Sequence, residues 1–184
     1  MSKLVVFNQV SADGYIADRN GDMSWAHKQD DEWTTFITEN ASTGGTLLFG
    51  RVTYEMMASY WPTPHAVENM PVVAQQMNTL PKVVFSKTMK GASWNNTKLI
   101  KGDLPAEVRM LKETTDGDLV IFGSASIVSQ LAQAGLIDAY QLIINPVILG
   151  AGKSMFTGVD KRLDLKLTRS RTFSNGNVML CYEV

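Results

Sequence analysis

The stretch Leu119-Val120-Ile121-Phe122-Gly123-Ser124-Ala125-Ser126-Ile127 decides the fold. Its first four residues are all apolar, with β-branched and aromatic members, and read as a buried strand. Gly123 ends that strand. From Ser124 the period changes: Ile127, Val128 and Leu131 recur at helical spacing, and Gly135 stops the run. A strand leading through glycine and small residues into a helix is the unit of a parallel sheet. It also forms an anion cradle, because the first N–H groups of a helix lack internal partners and carry the positive end of its dipole. The plainer reading of the same residues is a helix N-cap supplied by Ser124.

The unit recurs along the chain. Leu4 to Val10 is a buried strand, and Ser11-Ala12-Asp13-Gly14-Tyr15 turns it. Asp30, Asp31 and Glu32 precede Trp33, Phe36 and Ile37, which predicts a helix with acids in its first turn. Thr46 to Phe49 is a strand ending at Gly50. Arg51 to Tyr60 is a helix, ended by Pro62 and Pro64, and Pro71 to Leu80 is another. Strands are predicted at Lys82–Phe85, Thr97–Lys101 and Tyr140–Leu149, with a helix opened by Asp103 and Pro105. Leu163–Phe173 and Val178–Tyr182 flank Asn175-Gly176, a strong hairpin signal. The expected architecture is a single α/β domain over residues 1–184. Its sheet is mixed and mostly parallel, flanked by helices, with a C-terminal antiparallel hairpin at one edge.

Composition narrows the function. A chain of 184 residues suits one domain. Lys and Arg number 17 against 18 Asp and Glu, so the basic excess of a nucleic-acid binder is missing. No apolar run approaches the roughly 18 residues of a membrane span, and the first run is too short for a secretory core of about 7–15. The single Cys181 excludes a disulfide framework within the chain and fits a reducing compartment. A cytoplasmic protein with neither nucleic-acid nor membrane partners is expected. His27 and His65 stand alone in sequence, so no metal site is expected. No G-x-S-x-G elbow is present, and no G-x-G-x-x-G follows the first strand. Gly152-Lys153-Ser154 mimics the end of a phosphate-binding P-loop, but position 147 is Val where that motif needs Gly.

In such sheets ligands bind beyond the carboxyl ends of the strands. Besides Gly123 to Ser126, a second exit offers Gly50, Arg51 and Thr53, with a cation and a hydroxyl for phosphate oxygens. A third offers Ser86 and Lys87. Cradles at separate exits suit the two ends of a dinucleotide. The acid candidates are Asp13, Asp30 and Asp31. Asp30 lies three residues before Trp33 and shares its side of the helix, whereas Asp31 is turned by about 100° toward solvent. Helix-dipole decoration is the plain alternative for both.

These residues resemble the dihydrofolate reductase-like superfamily, and within it the group similar to the riboflavin-biosynthesis reductase (RibD) C-terminal domain. The resemblance rests on Ser11-Ala12-Asp13-Gly14-Tyr15-Ile16-Ala17, Gly21-Asp22-Met23-Ser24-Trp25, Gly50-Arg51-Val52-Thr53-Tyr54-Glu55, Gly123-Ser124-Ala125-Ser126 and Pro146-Val147-Ile148-Leu149-Gly150-Ala151-Gly152, in family order. It implies NADPH as cofactor and hydride transfer to a pterin- or pyrimidine-like ring. It sets the backbone of Gln9 and Ile16 near the nicotinamide amide, and Gly50, Arg51 and Thr53 at the phosphates, with Arg51 by the 2′-phosphate. Ser86 and Lys87 would flank the adenosine end, and Gly123, Ser124, Ala125 and Ser126 would cradle the pyrophosphate. Asp30 matches the substrate acid of dihydrofolate reductases, while Leu142 stands where those enzymes keep a supporting Thr. The resemblance also implies a homodimer, for which the apolar runs Leu142–Ile144 and Val147–Leu149 are interface candidates, with burial in the core as the equal and more usual alternative. The competing function is a non-catalytic NADP(H)- or nucleotide-binding protein on the same scaffold.

Overall fold

The computed structural model describes residues 1–28 and 30–184. The strands are β1 (Leu4–Ser11), β2 (Tyr15–Asp18), β3 (Thr46–Gly50), β4 (Lys82–Phe85), β5 (Thr97–Ile100), β6 (Leu119–Phe122), β7 (Ala139–Asn145), β8 (Gly152–Ser154), β9 (Lys166–Thr172) and β10 (Val178–Glu183). The α-helices are α1 (Asp31–Ala41), α2 (Arg51–Tyr60), α3 (Pro64–Asn69), α4 (Pro71–Thr79), α5 (Leu104–Thr114) and α6 (Ala125–Gln133). The main sheet runs in the order β5-β4-β3-β6-β1-β7-β10-β9. Strands β5 through β7 of that order are mutually parallel, and β10 pairs antiparallel with β7 and β9. The expected parallel sheet with an antiparallel hairpin at one edge is therefore present.

Both faces are covered, which is why the central strands are continuously apolar rather than alternating. Every residue of β3 is buried. Leu48 of β3 faces Ile127, Val128 and Leu131 of α6 and Val108 of α5. Its neighbours Leu47 and Phe49 face Tyr54 of α2 and Val73 and Met77 of α4. On the latter side, Trp33 and Phe36 of α1 pack with Ile143, Phe173 and Met179.

Three local expectations change. Pro64 opens α3 rather than only ending α2: it sits in the first turn, where proline loses no hydrogen bond, and Thr63 caps it by accepting from the Ala66 amide at 3.2 Å. The strand predicted to reach Leu149 stops at Asn145, since Pro146 cannot extend the ladder. Gly152 lies in a small second sheet, β2 with β8, and a Cβ there would collide with the Ala17 carbonyl. That packing explains this glycine without any ligand. Leu142–Ile144 runs inside the main sheet between β1 and β10, with Ile143 fully buried, so it is core. Of the second interface candidate, Ile148 is exposed.

Candidate functional site

The chain leaves β3 toward β4 and leaves β6 toward β7, on opposite sides of the neighbouring β3–β6 pair. Such a reversal opens a crevice at the carboxyl ends of the two strands. The helices that follow, α2 and α6, lie on opposite faces, and their N-termini flank it.

The crevice is stitched by hydroxyls. The Gly50 amide donates to Ser124 Oγ at 2.8 Å, and the Ser124 amide donates to Thr53 Oγ1 at 3.1 Å. Both Gly123 (φ 60°) and Ser124 (φ 57°) are left-handed. At Gly123 a Cβ would also press on Thr53 Cγ2 at 3.1 Å, so glycine is required for conformation and for packing. Because its hydroxyl reaches across to Gly50, Ser124 does not cap α6 with its side chain. The plain N-cap reading of Ser124 is thereby corrected. Neither α6 nor α2 has a side-chain cap, so the leading amides of both helices, Ala125 and Ser126 among them, face the crevice end without a side-chain acceptor. That donor set matches a polyanion such as a pyrophosphate.

The other sequence-predicted cofactor residues fall on the same edge. Arg51 is exposed on the first turn of α2, where its guanidinium donates to Glu55 at 3.0 Å. Ser86 and Lys87 follow β4, the neighbour of β3. Ser86 Oγ accepts from the Thr88 and Met89 amides, at 3.2 and 3.1 Å, and Lys87 is exposed. Gln9 is two residues from the end of β1, and Ile16, on β2, is buried in the cluster that holds Ile127. Cations at two exits and uncapped amides at two helix ends therefore line three adjacent strands, β4, β3 and β6, with Gln9 on β1 next in the row.

Asp30 lies outside that row of exits. It is the N-cap of α1, its Oδ1 accepting from the Trp33 amide at 2.7 Å and its Oδ2 from Ser174 Oγ at 3.1 Å. Trp33 meets Phe173 edge-on, with centroids 5.1 Å apart, so an apolar wall does stand beside this carboxyl. Asp31 is exposed. Glu32 binds Arg171 at 3.0 Å and accepts from the Ser174 amide at 2.9 Å, and these contacts, the amide first, hold its carboxyl below the usual range. Asp13 serves the scaffold: it accepts from Ser11 Oγ at 2.7 Å and from the Gly150 amide at 2.7 Å, clipping the first turn to the loop after β7. Leu142 packs on the face of α5 and α6, away from α1, so it is not a neighbour of the acid.

Sequence reasoning passed over Asn145 and Asn177. Both are fully buried, and Asn145 Oδ1 and both amide atoms of Asn177 lack partners among the described residues. Asn145 Nδ2 donates to Gln9 Oε1 at 2.9 Å. The only signal was polar residues beside Pro146 and Gly176, where turn chemistry accounts for an Asn by itself.

The pattern of the RibD C-terminal domain family matches residues 2–179. The chain belongs to that family. The chain is also similar to two Bacillus subtilis proteins of unassigned function. YyaP is 30% identical over 98% of this chain and 94% of its own, and YwjB is 26% identical over 93% and 92%. Solved structures place this RibD-type chain in the same fold. A Shewanella protein provisionally assigned to riboflavin biosynthesis superposes with a TM-score of 0.79 at 22% identity, covering 98% of both chains. A pyrimidine reductase-like protein from Corynebacterium diphtheriae gives 0.67 at 14% identity over 100% and 92%. The deaminase/5-amino-6-(5-phosphoribosylamino)uracil reductase of Thermotoga maritima gives 0.68 at 17% identity, covering 99% of this chain and 56% of that one.

Proposed function

We propose that this RibD-type domain is an NADPH-dependent reductase of a small pterin- or pyrimidine-like heterocycle, of the dihydrofolate reductase or 5-amino-6-(5-phosphoribosylamino)uracil reductase kind. The observation that carries the reading is the stitched crevice, where Gly50 and Ser124 bind each other and leave two helix N-termini uncapped side by side. The leading amides of α6 would hold the pyrophosphate, and Arg51 and Lys87 would hold the outer phosphate and the adenosine end. When bound, NADPH supplies the hydride. The chain's own task is to position the ring and to manage the proton. Asp30, beside Trp33, is the acid within this chain that would hold that proton.

A second reading, a non-catalytic NADP(H)-binding protein, draws on one observation: both Asp30 oxygens already accept hydrogen bonds within the fold. We propose a cytoplasmic location, which the single free cysteine fits as a sign of a reducing compartment. We also propose a homodimer, with the exposed edge strand β9 and its Leu167 as the pairing edge. The test is NADPH oxidation in single-turnover format against a panel of pterins, pyrimidines and flavins. Oxidation dependent on one of these rings is expected. NADPH binding with no ring of the panel reduced would favour the second reading, and absence of NADPH binding would refute both.

A further inference from the structure

Three side-chain amides share the α1 face of the sheet. Gln9 is two residues from Phe7, which packs against the Trp33–Phe36 cluster, so its side chain is on that same face near the end of β1. Asn145 shares the face with Ile143 at the end of β7. One step beyond the Val178–Ile144 register pair, Asn177 stands opposite Asn145. Each buried polar atom left unpaired costs about 1–3 kcal/mol, and two apolar residues would avoid the cost. Stability therefore gives no reason for amides at these positions.

Hydrogen-bond polarity supplies one. Asn145 donates from Nδ2 to the Ile143 carbonyl at 3.2 Å and to Gln9 at 2.9 Å. A carbonyl only accepts, so the atom of Asn145 facing Ile143 must be its NH2 group. That NH2 group in turn needs an acceptor on Gln9, which fixes Oε1 inward and Nε2 outward. Gln9 is half-exposed, and among the described residues nothing accepts from its Nε2. Two N–H donors are thus left for an outside acceptor near the end of β1, on the face of α1.

We propose that Gln9 is a specificity-determining residue for the ring substrate. Its outward Nε2 donates to a ring carbonyl oxygen and selects an oxo ring over the matching amino ring, whose NH2 group would oppose it donor to donor. Asn145 is the positioning residue that sets this polarity. The inference rests on the ring-reductase reading for its substrate class.

The test is ring binding without NADPH, by ligand-observed NMR, with uracil against cytosine and hypoxanthine against adenine. Wild-type protein is expected to bind the oxo member of each pair about tenfold tighter or more. Gln9→Glu keeps an acceptor toward Asn145 but turns an acceptor outward, so the preference should reverse. Asn145→Leu releases the amide, and the preference should shrink to within about threefold; thermal melts check that both variants are folded. Equal binding of the pair members by wild type, no binding of either, or an oxo preference surviving in Gln9→Glu would overturn the proposal. So would a Gln9→Glu variant that loses NADPH affinity but keeps its ring preference, which would assign the amide to the cofactor. A protein that shows the preference yet never oxidises NADPH refutes the reductase reading alone.

Discussion

The Ser124 hydroxyl accepts from the Gly50 amide at 2.8 Å, joining residues that sit at the ends of two adjacent strands and begin two helices on opposite faces. One bond thus sets the spacing of both helix N-termini. Ser124→Gly keeps the left-handed backbone and deletes this bond. We expect a stability loss of about 1–3 kcal/mol from the orphaned Gly50 amide, read by urea unfolding, and NADPH affinity lower by about tenfold. Ser124→Ala keeps the Cβ that wild type already carries at φ 57° and should show this loss in full, whereas Ser124→Gly recovers roughly 1 kcal/mol of it by relieving that strain. Unchanged NADPH affinity in both would show that the crevice is not the cofactor site.

Arg51 is exposed and, among the described residues, held only by Glu55, so it can turn to an incoming phosphate. Arg51→Ala should weaken NADPH by about ten- to a hundredfold and leave NADH nearly unchanged. Equal losses for the two cofactors in titration calorimetry would remove the 2′-phosphate assignment. Glu55→Gln frees the guanidinium and should tighten NADPH slightly.

Asp30→Asn retains an oxygen for the Trp33 amide, and Asn is as good an N-cap as Asp, so the fold should stand. Hydride transfer should fall by about 10²–10⁴-fold with NADPH affinity kept, while Asp31→Asn does little. Wild-type turnover by Asp30→Asn across the pH range would move the proton source to water. Asp30→Ala adds a stability loss of about 1 kcal/mol from the lost cap.

Lys82, at the opposite end of the sheet, is buried with its Nζ on the Leu80 carbonyl at 2.6 Å and 4.7 Å from the centre of the Trp94 ring. Burial brings its pKa down to about 8. The unfolded chain, with Lys near 10.4, then binds more protons between these values, so stability should rise with pH from about 8. Burial pushes Tyr140 up to about 12, and its hydroxyl lacks a partner among the described residues. That group keeps its proton in the fold after the unfolded chain loses it near pH 10, so stability should fall between about 10 and 12. Urea midpoints should peak near pH 10. Lys82→Met should flatten the rise and Tyr140→Phe the fall; a wild-type midpoint falling steadily from pH 8 would contradict both assignments.

Much of this protein was determined by local sequence. Apolar runs ending in glycine at Gly50 and Gly123, and the Asn175-Gly176 turn, specify strands, exits and hairpin, because period and turn chemistry act between residues a few positions apart. The cofactor candidates were legible for the same reason: in a parallel sheet every exit lies on one edge, so naming the exits names the candidate site. Tertiary structure alone decided what each polar group does there. Ser124 bonds Gly50, 74 positions away, instead of its own helix, and Asn145 turns Gln9 from 136 positions away. Asp30 meets Ser174 across 144 positions, and Leu142 faces away from it. The direction of a hydrogen bond and the face of a strand depend on which chain segments become neighbours, and that is settled only when the sheet order brings them together.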